Sequence, residues 1–183
     1  AGPTGSGKTS TLYAALKMLN REGVSIISVE DPVEYRLQGV TQVQVNEKEG
    51  LTFEKGLRSI VRQDPDIVMI GEIRDRETAE IAVHAALTGH LVLSTIHTNQ
   101  ASDAPLRLMD MGIAPYLLSA SLSLVIAQRL AGRLCQHCKS PYILTEKEQQ
   151  ALGLPETCRG RRVYQKKGCE NCHDGLKGRT GIL

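Results

Sequence analysis

The stretch Gly2-Pro3-Thr4-Gly5-Ser6-Gly7-Lys8-Thr9 sets three glycines, a lysine and a hydroxyl at the spacing G-x4-G-K-[ST]. Glycine tolerates the backbone conformations that turn successive N–H groups toward one point, and such a nest at a helix N-terminus attracts phosphate oxygens. In that arrangement a lysine reaches the β- and γ-phosphates of a nucleotide and the hydroxyl after it ligates Mg²⁺. Lys8 and Thr9 take those two roles. The residues assigned to ATP are therefore Gly2, Pro3, Thr4, Gly5, Ser6, Gly7, Lys8 and Thr9, with Ser10 following in the first helical turn.

Two apolar runs end in carboxylates. Ile67-Val68-Met69-Ile70-Gly71-Glu72 delivers Glu72 at the end of a strand, the usual place for a charge beside Mg²⁺ and an attacking water. Many phosphate-loop enzymes carry Asp before that Glu, whereas Gly71 stands there in this chain. Val29-Glu30-Asp31-Pro32-Val33-Glu34 delivers the second group. A general base on water must sit about one hydrogen bond from the nucleophile, and Glu30 and Glu72 both qualify by position. Residue type does not separate them. His90 and His97 flank the run Leu91 to Thr95. His97 falls at the same end as the two carboxylates, where an imidazole can sense the terminal phosphate, and His90 is a further candidate nucleotide contact at the opposite end.

All five cysteines lie between residues 135 and 172. Cys135-x2-Cys138 and Cys169-x2-Cys172 each supply one edge of a tetrahedron for Zn²⁺. Disulfides and redox C-x2-C pairs are the rival reading, and a redox pair gives no reason for having two. His137 and His173 are adjacent potential substitutes, and Cys158 is a spare thiol. Four protein ligands leave no open coordination position, so the metal is read as structural. Residues 144–162 are charged and poor in apolar side chains, and are expected to depend on the metal for their shape.

These groups need a scaffold. Thr9 to Leu19 places Leu12, Ala15, Leu16 and Leu19 on one helical face, stopped by Asn20 to Gly23. Val24 to Val29 and Ile67 to Ile70 read as strands buried on both faces. The alternation of Thr41, Val43 and Val45 with Gln42, Gln44 and Asn46 reads as an edge strand or a hairpin. Helices are predicted over 51–62 and 77–87, the latter burying Ile81, Ala82 and Ala85, with two more from Ala101 and Pro115. Alternating strand and helix argue an α/β fold, a mostly parallel sheet with helices on both faces. The domains expected are an ATPase core at 1–134, a tetracysteine subdomain at 135–173 and a return to the core at 174–183.

A phosphate loop normally follows a strand, so its place at residue 2 predicts a piece of a longer protein with a gap in its sheet. Basic and acidic residues number 22 and 20, which argues against a nucleic-acid partner, as do the 3% aromatic content and the lack of Trp. No span or signal peptide is legible, and the clustered thiols fit a reducing cytosol.

Residues 2–9, Glu30-Asp31-Pro32-Val33-Glu34-Tyr35, Arg62 through Asp75, and Thr88-Gly89-His90 through Asn99 together resemble the secretion traffic ATPases, the motors of type II secretion and type IV pilus assembly. The resemblance implies a RecA-like P-loop NTPase core with Walker A, Asp box, Walker B and His box motifs, bearing a small zinc-binding insertion. It also implies a homo-hexamer, ATP hydrolysis and an inner-membrane platform partner, with a cytoplasmic location peripheral to the inner membrane and membrane contact only through partners. Arg74 is a further nucleotide contact on this reading, and Arg74 and Arg129 are candidates to act between subunits. The four cysteines point to the assembly or secretion branch. A nucleotide-binding, zinc-stapled interaction module without hydrolysis is the alternative.

Overall fold

The computed structural model describes residues 1–183, which form two units, Ala1–Arg129 with Leu183, and Leu130–Ile182. The first is built on β1 (Ile26–Glu30), β2 (Thr41–Gln44), β3 (Ile67–Ile70) and β4 (Leu91–Ser94), with α1 (Lys8–Leu19), α2 (Phe53–Val61), α3 (Arg76–Leu87), α4 (Asp103–Asp110) and α5 (Pro115–Ser121). The four strands lie in the order β2-β1-β3-β4, and every pairing is parallel.

Period-two alternation splits the strand residues between two faces. Ile26, Ile67 and Met69 pack with Tyr13 and Leu16 of α1, whereas Ile27, Val29, Val68 and Ile70 pack with Leu57 and Ile60 of α2 and Ala82 of α3. Helices thus cover both faces. Each fully buried aliphatic in this layer contributes roughly 1.5–3 kcal/mol of transfer free energy. Caps fix where the helices begin: the Thr52 side chain accepts from Lys55 N–H, and Asp75 accepts from Thr78 N–H at 2.8 Å. A third cluster joins α3, α4 and α5 through Val83, Leu108 and Leu118.

β1 starts two residues later than the apolar run suggests. Ser25 instead bonds the Asp66 carboxylate, its N–H 2.7 Å from Oδ2. β2 is an edge strand and not half of a hairpin, since it runs parallel to β1. β4 forms the other edge, with Leu91 46% exposed, and a cavity of about 510 Å³ opens beside it against residues 120–126. No helix of the chain is long and apolar enough to cross a membrane.

The second unit pairs β5 (Arg129–Leu134) with β8 (Leu176–Ile182), and β6 (Ser140–Ile143) antiparallel to β7 (Arg162–Gln165). Between β6 and β7 lies α6 (Glu146–Ala151), started by a capping box in which Thr145 and Glu148 satisfy each other's backbone N–H groups. That order within residues 144–162 was not foreseen. Leu144 and Gln149 are buried there, so local packing and capping shape this stretch as well as the cysteines.

Candidate functional site

Gly2, Gly5 and Gly7 adopt φ of 146°, 77° and 85°, the positive values that the nest requires, and Gly7 is the N-cap of α1. The Lys8 side chain folds back along the loop, its ammonium donating to the carbonyls of Gly2 at 2.8 Å and Pro3 at 3.0 Å. Burial lowers the Lys8 pKa and the nearby Glu72 charge acts the other way, which places that carboxylate within electrostatic reach of the lysine.

Register decides what else meets this loop. Val29 pairs with Ile70 and Ile70 with Ser94, so the carboxyl ends of β1, β3 and β4 line up and release Glu30, Glu72 and His97 along one edge. Glu72 is held from two sides. Arg74 Nη2 pairs with its Oε1, and His97 Nε2 lies 3.2 Å from its Oε2. The strong bond to Glu72 raises the Arg74 pKa. Gly71 ties the end of β3 to β1, its N–H donating to Val29 O at 2.8 Å.

Glu30 is built differently. It is 2% exposed, and its carboxylate accepts from the Tyr13 hydroxyl, from Ser28 Oγ at 2.6 Å and from Gln42 Nε2 at 3.0 Å. Three donors make a buried carboxylate tolerable where an unpartnered one would be costly.

In the second unit the Sγ atoms of Cys135, Cys138, Cys169 and Cys172 lie within 4.8 Å of one another. Their separations include 3.9 Å for Cys135–Cys169, 3.7 Å for Cys138–Cys172 and 3.6 Å for Cys169–Cys172. A tetrahedron with metal–sulfur bonds of about 2.3 Å has edges of about 3.8 Å, whereas a disulfide closes to about 2.05 Å. The cluster matches the former. Backbone N–H groups of Gly168 and Cys169 point at Cys138 and Cys172 sulfurs, each at 3.3 Å, as thiolate ligands require. His137, His173 and Cys158 stand outside it.

The family described as type II/IV secretion system protein matches residues 1–183. The chain belongs to that family. The type II secretion system protein E of Aeromonas hydrophila is 58% identical over 182 residues, covering 99% of this chain and 36% of its own. The type IV pilus assembly ATPase PilB of Acinetobacter baylyi is 54% identical over 184 residues, covering 99% of this chain and 32% of its own. The chain therefore spans about a third of these relatives. The crystal structure of the pilus retraction motor PilT with bound ADP superposes with a TM-score of 0.68 at 39% identity, over 74% of this chain and 43% of that one. The fold is the α/β, RecA-like P-loop core of these secretion proteins.

Within this family member the glycine loop, Lys8, Glu72, Arg74 and His97 come together, with Glu30 beside them but turned inward. Thr9 and Ser10 are exposed on the first turn of α1. His90 is not brought to this edge. Its Nδ1 lies 2.9 Å from Ala85 O and 3.1 Å from Thr88 Oγ1, at the start of β4, a strand of about 13 Å away from the end that leads to His97. Arg129 directs its guanidinium to Gln128 O and Asn99 O, within its own unit. Sequence reasoning passed over Tyr13, Ser28 and Gln42 around Glu30, and Gln128 beside the loop. The available signal was a polar residue inside an apolar setting: Ser28 within β1, and Gln128 after Leu122 to Ala127.

Proposed function

We propose that this chain is the catalytic part of an ATP-hydrolysing motor of a type II secretion or type IV pilus assembly machine. The observation that carries the reading is one sheet edge bearing a glycine nest, Lys8, Glu72, Arg74 and His97. The names of the relatives, one a pilus assembly ATPase, support the same activity.

In this account the loop N–H groups and Lys8 hold the β- and γ-phosphates of ATP, with Gly2 to Gly7, Thr9 and Ser10 shaping the cradle. Thr9 Oγ and the carboxylate edge fit Mg²⁺, which when bound neutralises phosphate charge. Water attacks the γ-phosphorus in line, the bond to the β–γ bridging oxygen breaks, and ADP and phosphate leave. Glu72 and Glu30 are the carboxylates that divide metal ordering and acceptance of the water proton. Glu30 takes part only once Tyr13, Ser28 and Gln42 release it. His97 and Arg74 restrain Glu72 and respond to loss of the γ-phosphate. His90 serves the site indirectly, by fixing the turn into β4.

The four cysteines hold Zn²⁺ as a structural ion, and their presence favours assembly or secretion over retraction. A homo-hexamer working against an inner-membrane platform protein, cytoplasmic and peripheral to that membrane without contacting nucleic acid, completes the proposal. The organisation into a core at 1–134, a metal subdomain at 135–173 and a return at 174–183 belongs to it too. Steady-state phosphate release by the full-length protein tests the reading, with Lys8→Ala as the variant that must abolish it.

A further inference from the structure

We infer that Gln128 is a positioning residue for the phosphate loop: its buried side-chain amide, more than a hundred residues away in sequence, holds the loop in the shape that receives a nucleoside diphosphate. The inference rests on the nucleotide-site reading above and names the residue that keeps that site in form.

Gln128 is 6% exposed and spends every polar group it has on this corner of the molecule. Its Nε2 donates to the Ser6 carbonyl at 2.8 Å, and its Oε1 accepts from Thr11 Oγ1 at 2.7 Å. Its backbone N–H donates to Ala1 O at 2.9 Å, and its own carbonyl accepts from Arg129 Nη1 at 3.0 Å. The Gln128 carbonyl also comes so close to Gly2 that a Cβ there would stand 2.6 Å from it. One residue therefore grips both ends of the loop and the first turn of α1.

The bond to Ser6 has a directional consequence. In a planar trans peptide the C=O and the following N–H point in opposite directions. Drawing the Ser6 carbonyl toward Gln128 turns the Gly7 N–H away from Gln128, as a nest that presents N–H groups to phosphate requires. Without that tether the Ser6–Gly7 plane is free to rotate, and an inward carbonyl repels the anion that the N–H attracts. Arg129 extends the same anchor: its Nη2 donates to Asn99 O at 2.6 Å, in the loop just past His97.

A glutamine that merely satisfies the core makes a different prediction from one that shapes the loop, and the two separate in a binding titration. ADP binding to the full-length protein is measured by calorimetry, reading dissociation constant and stoichiometry independently. Gln128→Ala is expected to weaken ADP about tenfold with stoichiometry unchanged, and Thr11→Val about threefold, as the loss of two and of one buried hydrogen bonds implies. Gln128→Glu keeps the acceptor for Thr11 but sets a carboxylate against the Ser6 carbonyl, and should weaken ADP at least as much as Gln128→Ala. A merely structural role lowers the binding-competent fraction and leaves the constant alone, which would overturn the inference. If Gln128→Ala does not fold, Thr11→Val decides: a threefold weaker constant supports the inference and an unchanged one overturns it. Lys8→Ala is the control. Should it bind ADP as the parent does, the nucleotide-site reading fails; should it lose ADP while the Gln128 and Thr11 variants keep the parent constant, only the role of Gln128 fails.

Discussion

The Tyr13 hydroxyl, carried on the helix that follows the phosphate loop, donates to the buried Glu30 carboxylate at the end of β1. The same oxygen accepts from Glu34 N–H at 3.2 Å, and the Tyr13 and Tyr35 rings meet edge to face with centroids 4.6 Å apart. Helix α1 and the loop leaving β1 are thereby fastened together at one phenol. Burial first, and the bond to Glu30 second, push the Tyr13 pKa up to about 12, so the group remains a donor at any working pH. Tyr13→Phe keeps the ring packing and removes one donor from a buried carboxylate. It should cost about 1–3 kcal/mol, measured as a lower urea midpoint of the ATPase core in the full-length protein.

Lys8 makes the site sensitive to alkali. Its pKa lies below the ordinary 10.5, chiefly because burial disfavours the ammonium. The charge is complete well below that lowered pKa and is lost as pH rises through it, so phosphate affinity falls with it. A plot of log affinity for ADP against pH should bend downward below pH 10.5. Glu72→Gln removes the neighbouring charge that favours the ammonium, and should move the bend to lower pH.

His97 separates binding from turnover. Its Nε2 reaches Glu72 from the exposed side, on the edge assigned to the γ-phosphate, the group that ADP lacks. His97→Ala should reduce the kcat for ATP by about a hundredfold to a thousandfold, the scale of losing one polar group that stabilises developing charge. ADP affinity should stay within about threefold, since the loss of one edge contact is worth under 1 kcal/mol to a ligand that does not reach it.

The cysteine cluster predicts one zinc per chain. Three of the six sulfur pairs lie 3.6–3.9 Å apart and all four sulfurs lie within 4.8 Å, the spacing of a tetrahedral thiolate site. Chelation of the full-length protein should speed amide exchange across residues 135–172 and leave residues 1–30 protected. Metal analysis without stoichiometric zinc would refute the assignment.

The glycine loop and the strand-end carboxylates were legible because their chemistry is local: backbone nests and apolar runs are written in consecutive residues. The alternation of β2 was legible as an edge strand or a hairpin, but the parallel pairing with β1 that excludes the hairpin was not, because alternation carries no direction. The partners of Glu30 were hidden for a related reason. Tyr13 reads as one more apolar residue of α1 until β1 brings a carboxylate under it. Gln128 meets Ser6 across 122 residues, and no local pattern encodes that distance. Helix α6 was a different case. Thr145-x-x-Glu148 is a capping-box signature in plain view, outweighed by the charged composition around it.

On the proposed reading, the edge carrying Lys8, Glu72 and His97 hydrolyses ATP. Phosphate release and ADP binding, measured side by side on the full-length protein, decide the matter. Lys8→Ala should lose both, whereas Glu72→Gln should keep ADP binding and lose turnover by about a hundredfold or more, the scale of a missing catalytic carboxylate. A parent protein that binds ADP but releases no phosphate above the Glu72→Gln background would show that this edge is not a hydrolytic site.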